Sequence, residues 1–236
     1  DALHAQDWSQ VPEYALVITL DDGHARNAEL VEIARRYEAH PTVFLCSQVV
    51  GTARQFWFNA PPDQAEVERL KYLPDSQRLE QLAERWNFDP TQDHPSQPAD
   101  ALSRGDLAAM KGTFHFGSHS RFHPTLPTCD EASLREELEL SKGETAELAG
   151  SDCLHFAYPN GDYSEREVEA VRRAGYRSAR TIDVGWTDLG SDPFRLKITG
   201  ISDDAPLDMV VAQLSGITRW IRDLVRKALG RRFSWC

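Results

Sequence analysis

The apolar run Leu16, Val17, Ile18 and Leu20 ends abruptly in Asp21-Asp22-Gly23. A short apolar run bounded by a turn signal reads as a buried strand. This constrains the fold, because α/β sheets and barrels gather their chemistry at the C-terminal ends of strands. Side chains alternate between the two faces of a strand, so adjacent carboxylates can serve one site only where the strand stops. Gly23 permits that stop, since glycine accepts backbone conformations closed to other residues. Taken alone, the stretch is equally a polar strand-to-loop cap, because Asp-Gly marks turns.

The chain then continues in strand and helix. Ala25 to Ala39 predicts an amphipathic helix with Leu30, Ile33, Ala34 and Tyr37 on one stripe. Pro41 to Cys46 predicts a second buried strand, and the strand–helix–strand order implies a parallel pair with a right-handed crossover. Residues 57–103 interrupt this rhythm with predicted helices at Glu66–Tyr72 and Gln77–Trp86, then a loop at Asn87–Pro98 rich in Asp, Pro and Gln. Such an insertion either walls a cleft or covers an exposed flank. Ser103-Arg104-Gly105-Asp106 has capping-box character before Leu107–Met110. Thr113–Phe116 is strand-like, Glu131–Leu148 and Glu165–Ala174 predict helices, and Gly175 caps the second of these. Arg177–Thr181 and Arg195–Ile201 predict later strands, and the chain reads as helical from Leu207 onward. There Trp220, Ile221, Leu224 and Val225 form an apolar stripe beside Arg219, Arg222, Arg226, Lys227, Arg231 and Arg232. This is either an interfacial helix drawn to anionic lipid or a terminal helix with a solvated basic face.

Two further segments carry chemistry. Gly117-Ser118-His119-Ser120-Arg121-Phe122-His123-Pro124 follows the strand-like Thr113–Phe116. On a helical turn, the i, i+4 spacing of His119 and His123 puts both imidazoles on one side. That suits two ligands of one divalent cation, and with a carboxylate it leaves positions for water and substrate. Phe156-Ala157-Tyr158-Pro159-Asn160-Gly161 is an apolar strand ending in a turn, whose backbone donors could face a substrate oxygen.

In this order the segments resemble the polysaccharide deacetylase family, also called the NodB homology domain or carbohydrate esterase family four. Its first motif, Thr-Phe-Asp-Asp-Gly, is matched by Thr19 to Gly23 with Leu20 for Phe, and its second, His-Ser/Thr-x-x-His, by His119 to His123. Its third, Phe-Arg-x-Pro-Tyr-Gly, is matched by Phe156 to Gly161 with Ala157 and Asn160 replacing Arg and Tyr, and its fourth, Asp-x-x-Trp, by Asp183 to Trp186. The resemblance implies a distorted (β/α)-barrel with seven or so parallel strands over residues 1–216, including the insertion at 57–103; the apolar stripe and its basic flank read as a separate amphipathic helix over 217–236. It implies a metal-dependent hydrolase removing N-acetyl groups from an amino-sugar polysaccharide, oligosaccharide or glycan precursor. Asp22, His119 and His123 would be the metal ligands and Asp21 the general base. Zinc suits two histidines and one carboxylate best, and cobalt, nickel or iron also fit. Within Tyr158-Pro159-Asn160-Gly161, the Asn160 N–H would help hold the oxyanion. Trp186 would floor the acetyl pocket with Leu196 beside it.

Two positions depart from the family pattern. The third-motif Arg that pairs with the base is Ala157 here, with Arg180 or Arg195 as substitutes from a neighbouring strand. No His follows His155, so the fifth-motif His that protonates the leaving amine is missing. His24, directly after the Asp-Asp-Gly turn, is the first candidate to replace it. His115 and His155 read as core or surface residues within strands, and His4, His40 and His94 as surface residues. The missing acid keeps open a non-catalytic, metal-containing glycan-binding domain, and an amidase acting on a small non-sugar amide is a third reading.

Composition narrows the partners. At 236 residues and 41% hydrophobic, the chain can build one barrel-sized core. No run approaches the roughly 18 apolar residues of a spanning helix. A formal charge of −11 argues against nucleic acid, whose binding surfaces need clustered Lys and Arg, and disfavours a polyanionic glycan. Cys46, Cys129, Cys153 and Cys236 form no metal or redox spacing, and Cys46 and Cys153 read as reduced core residues. That leans towards a reducing, cytoplasmic compartment. The chain begins at Asp1 and not Met, so a periplasmic or secreted protein that has lost a leader is also compatible.

Overall fold

The computed structural model describes residues 2–217, apart from Gln10, Glu13, Tyr14, Ser96 and Asp203. The basic C-terminal helix expected over 217–236, its proposed membrane contact and Cys236 lie outside the described residues from position 218 onward. Among the described residues, no helix is long and apolar enough to cross a membrane.

Six strands form one sheet in chain order: β1 (Thr19–Leu20), β2 (Thr42–Leu45), β3 (His115–Ser118), β4 (His155–Ala157), β5 (Ser178–Val184) and β6 (Leu196–Ile198). The pairings from β1 through β5 are parallel. This is the sheet of a distorted (β/α)-barrel, with six strands in place of seven or so. The helices are α1 (Ala2–Ala5), α2 (Val31–Arg36), α3 (Gln64–Lys71), α4 (Asp75–Trp86), α5 (Arg104–Met110), α6 (Glu131–Ala149), α7 (Glu165–Arg173) and α8 (Leu207–Leu214).

The chain divides into two compact units, Asp1–Thr181 with Thr187–Leu196, and Ile182–Trp186 with Lys197 onward. The first holds three apolar cores. One joins β2 and β3 to α2 and α5 through Val43, Leu45, Phe116, Val31, Leu107 and Met110. A second joins β4 and β5 to α6 and α7 through Phe156, Ala179, Leu134, Leu138, Val168 and Val171. The third belongs to the insertion and consists of Trp57, Val67, Leu70, Leu82 and Phe88. In the second unit, α8 carries exposed Leu207, Met209 and Val211.

Local signals explain the helix ends. Ser103 and Asp106 close a capping box on α5, and Ser164 and Glu167 do so on α7, each satisfying backbone donors that the first turn leaves free. Asp130 caps α6, which ends where Gly150 turns left-handed (φ 69°). Leu134, Leu138, Ser141, Thr145 and Leu148 recur every three or four residues and line the buried face of α6.

Three expectations are corrected. Leu16, Val17 and Ile18 do not extend a buried strand, being 60%, 75% and 45% exposed. Among the described residues β1 stands at the end of the strand order and pairs only with β2, so the run before it gains no cover from a second neighbour. The helix expected over Ala25–Ala39 is a 3₁₀ segment, Ala25–Leu30, followed by α2. The tighter winding rotates the stripe, burying Val31 and Ala34 and exposing Ile33 and Tyr37. The third strand begins at His115, two residues later than Thr113, because Thr113 and Phe114 donate their backbone N–H to Met110 O in a turn leaving α5.

Candidate metal centre and active site

In the turn that follows β1, Asp22 (φ 67°) and Gly23 (φ 73°) both have a left-handed backbone. A Cβ at Gly23 would lie 2.7 Å from Val50 Cγ2 and 2.9 Å from Leu45 Cδ2, so only glycine fits there. The turn is held across the sheet by the Cys46 N–H to Asp22 O (3.2 Å) and the Leu102 N–H to Gly23 O (2.8 Å).

His119 follows β3 directly, but His123 arrives through a loop and not the helical turn expected from the spacing. Ser120 (φ 65°) and His123 (φ 59°) are both left-handed, and these two reversals fold the chain back on itself. The imidazoles meet edge-on with centroids 4.8 Å apart. Neighbouring elements fasten the loop. Ser47 and Gln48 donate their N–H groups to Ser120 O and Arg121 O (both 3.1 Å). Glu137 Oε2 on α6 accepts from the N–H groups of Arg121 (2.7 Å) and Phe122 (3.1 Å).

Asp22 Oδ1 lies 3.5 Å from His119 Nε2 and 3.3 Å from His123 Nε2, and these ligand atoms all lie within 4.8 Å of one another. His119 Nδ1 is 2.8 Å from Ala157 O, which can only accept, so the proton sits on Nδ1 and the Nε2 lone pair faces Asp22. Burial pushes both histidines below the usual imidazole pKa, His123 to about 4, so both are neutral near pH 7. Burial, reinforced by the charge of Asp21, raises Asp22. Asp22 Oδ1 is buried with no hydrogen-bond partner. A buried carboxylate oxygen with no hydrogen bond, facing the bare Nε2 of His119 and 3.3 Å from Nε2 of a second neutral imidazole, is unfavourable unless a cation completes it. The donor set fits a divalent metal.

The neighbouring carboxylate behaves oppositely. Burial acts to raise the Asp21 pKa, but the fields of His119 and Arg180 and a hydrogen bond from Arg180 outweigh it, holding the carboxyl below its usual range. Arg180 Nη2 donates to Asp21 Oδ1. In the sheet register Arg180 stands opposite Ala157, so a guanidinium reaches the first carboxylate from the strand next to the one where the family motif carries it. Arg195 instead bonds Glu165 and Asp192.

The other residues singled out in the sequence are distributed as follows. His24 is half-buried, stacks on Phe56 (centroids 6.1 Å apart) and acts electrostatically on Asp22. The Tyr158 side chain is buried, its hydroxyl donates to Phe194 O (3.1 Å), and its N–H is engaged by Arg180 O (3.1 Å). Pro159 is buried, Asn160 is left-handed (φ 57°) with Nδ2 3.5 Å from Thr125 Oγ1, and the Gly161 N–H bonds Tyr158 O (2.9 Å). Leu196 O accepts from Thr181 Oγ1 (3.1 Å). Trp186 lies in the second unit beside Gly216. His115 and His155 are exposed at the first residues of their strands, His4 and His40 bond the backbone carbonyls of Arg177 and Thr113, and His94 stacks on Phe88. Cys46, Cys129 and Cys153 are buried free thiols. The sequence reading missed Trp57, whose indole N–H donates to His123 O (2.8 Å), and Phe58, which packs edge-on against the His123 ring at 5.2 Å. Their one signal was the run of aromatics Phe56-Trp57-Phe58 where the insertion opens.

The architecture and motif order have known counterparts. The structure is similar to a Streptococcus pyogenes deacetylase, PplD, solved in complex with acetate (TM-score 0.64, 16% identity, 90% of this chain and 76% of that one). It is also similar to a de-N-acetylase from Aggregatibacter actinomycetemcomitans (TM-score 0.59, 14% identity, 90% and 79%). A polysaccharide deacetylase from Bacillus cereus matches at TM-score 0.58 and 17% identity, over 84% of this chain and 50% of that one. At these identities the likeness is one of fold. No curated protein sequence matches this one. The sequence profile of the polysaccharide deacetylase family matches residues 9–179, spanning both carboxylates, both histidines and the third-motif turn. The chain belongs to the polysaccharide deacetylase family of hydrolases.

Proposed function

We propose that the chain is a metal-dependent hydrolase that removes N-acetyl groups from an amino-sugar glycan. The observation that carries this is the orphaned Asp22 Oδ1 facing the Nε2 atoms of two neutral imidazoles. Asp22, His119 and His123 would hold a divalent cation, zinc by the character of the donors. When bound, such a cation acidifies water and polarises a carbonyl.

The remaining steps fall to the chain's own side chains. Asp21, held ionised by Arg180, would take the proton of the water that attacks the acetyl carbon. His119 keeps its Nε2 free of a proton through its Nδ1–H bond to Ala157 O. The Asn160 N–H would donate to the carbonyl oxygen as negative charge develops there. As the C–N bond breaks, acetate leaves and the amine takes a proton from His24, the nearest remaining acid in sequence to the carboxylate pair.

Acetate release from acetylated chito-oligosaccharides by zinc-loaded protein tests this reading. Asp21→Asn should lower the rate by at least about 10²-fold, and His119→Ala should abolish it. The absence of any His after His155 favours a second reading, a metal-containing glycan-binding domain. That reading requires saccharide binding without turnover, unchanged by Asp21→Asn. Turnover of small non-sugar amides in preference to acetylated sugars would overturn the glycan assignment.

A further inference from the structure

The two candidate histidine ligands are secured differently. A metal-binding imidazole ordinarily donates its second ring N–H to an acceptor that fixes the ring's orientation. His119 does so through Nδ1 to Ala157 O, but His123 Nδ1 is buried with no partner. No hydrogen bond from Nδ1 to another described residue therefore sets the rotation of His123. Its backbone is also left-handed (φ 59°), a region uncommon for any residue but glycine, though histidine enters it more often than most. Something outside the ring has to hold the ligand in place.

The contacts that hold it come largely from the helical insertion. Besides Ser120 Oγ, which accepts the His123 N–H at 3.1 Å, the His123 carbonyl is gripped by Trp57 Nε1 at 2.8 Å and the ring is met edge-on by Phe58. Trp57 is 1% exposed and belongs to the insertion's own core with Leu70 and Leu82. The guanidinium of Arg78, 2% exposed, lies 4.7 Å above the indole ring while pairing with Asp75 one turn earlier in α4. Arg78 Nε and Nη1 have no hydrogen-bond partner, so the indole face is a principal partner of that buried cation.

We propose that Trp57, clamped by Arg78, is a positioning residue for the His123 ligand. On this view the insertion is neither merely a cleft wall nor a cover for a flank, but part of the frame of the metal centre. The inference rests on the reading that Asp22, His119 and His123 hold a divalent cation. Trp57→Phe keeps an aromatic ring and removes the N–H, leaving the His123 carbonyl buried and unpartnered. The loop can then relax, and Nε2 leaves its place opposite Asp22 Oδ1.

The test is zinc affinity of the full chain, measured by competition with a chromophoric chelator, together with the visible spectrum of the cobalt-loaded protein. Trp57→Phe should weaken zinc binding about 10–100-fold, the usual effect of losing an outer-shell partner, and change the cobalt spectrum. Arg78→Met should act in the same direction more weakly, and carries the test if Trp57→Phe does not fold. Leu82→Ala, in the same core but without a hydrogen-bonding side chain, should lower the melting temperature of the metal-free protein and leave zinc affinity essentially unchanged. Unaltered zinc affinity and cobalt spectrum in Trp57→Phe and Arg78→Met overturn the proposal, and so does an equal loss of affinity in Leu82→Ala. Failure of the unsubstituted chain to bind zinc or cobalt overturns both this inference and the metal reading, whereas tight binding that ignores Trp57 overturns this inference alone.

Discussion

Replacing Arg180 with Met should move the acid limb of the pH–rate profile towards higher pH. Arg180 donates to Asp21 Oδ1, and its charge is one of the two largest contributions opposing the burial that would otherwise raise the Asp21 pKa. Met retains a buried apolar stem and removes the charge. Two unit charges about 4 Å apart interact by about 4 kcal/mol at an effective dielectric near 20, and by about 1 kcal/mol in water. The Asp21 side chain is 36% exposed against 9% for Arg180, so solvent screening places the pair towards the weak end, about 1–2 kcal/mol. At about 1.4 kcal/mol per factor of ten, this is about a tenfold change in the proton affinity of the carboxylate. Asp21, as the proposed base, works only when ionised. A higher pKa keeps it protonated to higher pH, so kcat/KM should fall about tenfold on the acid side and much less on the alkaline plateau. Acetate release from an acetylated chito-oligosaccharide by zinc-loaded protein, followed from pH 4 to 9, reads the shift. Ala157→Arg combined with Arg180→Ala returns the guanidinium from the adjacent strand, and should recover at least half of the displacement. An Arg180→Met profile superimposed on that of the unsubstituted chain would refute any influence of this guanidinium on the base.

Three further outcomes follow from the geometry. Burial holds His123 near pKa 4, so its imidazole stays neutral as pH falls from 7.5 to 5.5; its ring-proton NMR shift in the metal-free protein should stay flat over that interval, and a titration like that of an ordinary histidine would contradict this. Burial also raises Glu137 to about 7, so its contribution to stability is complete below its unfolded pKa near 4.5 and is lost as pH rises through 7. Glu137→Gln should therefore gain about 1–2 kcal/mol relative to the unsubstituted chain between pH 5 and 8 in urea unfolding, and parallel stability curves would contradict this. Gly23→Ala forces a Cβ against Val50 and Leu45 in a left-handed residue, and should destabilise by about 2–4 kcal/mol, seen as a lowered melting temperature; an unchanged melt would show that the turn relaxes freely.

The sequence disclosed most where the chemistry is contiguous. Asp21-Asp22-Gly23 and His119-x-x-x-His123 each carry their candidate ligands within one short segment, and the structure brings Asp22 and both imidazoles within reach of one point. Apolar runs were less reliable guides. Val43 and Leu45 are fully buried, whereas the equally apolar Leu16 to Ile18 are exposed, because burial depends on which strands flank a run and not on the run itself. Periodicity found the helix after Gly23 but not its pitch, so the buried stripe was misplaced around Ile33 and Tyr37. The supporting contacts were the least legible. Arg180 meets Asp21 across 159 positions and Trp57 meets His123 across 66, and only strand register and loop path set those distances.

Because Ala157 and Arg180 stand side by side on parallel strands and project from the same face, the cationic partner of the first aspartate is transferable between columns of an alignment. A chain passing from one arrangement to the other would carry either two crowded guanidinium groups or an unescorted acid. The second state forfeits only performance at low pH, which makes it the gentler route. A blank at the third-motif arginine is therefore poor grounds for declaring a relative of this chain inert.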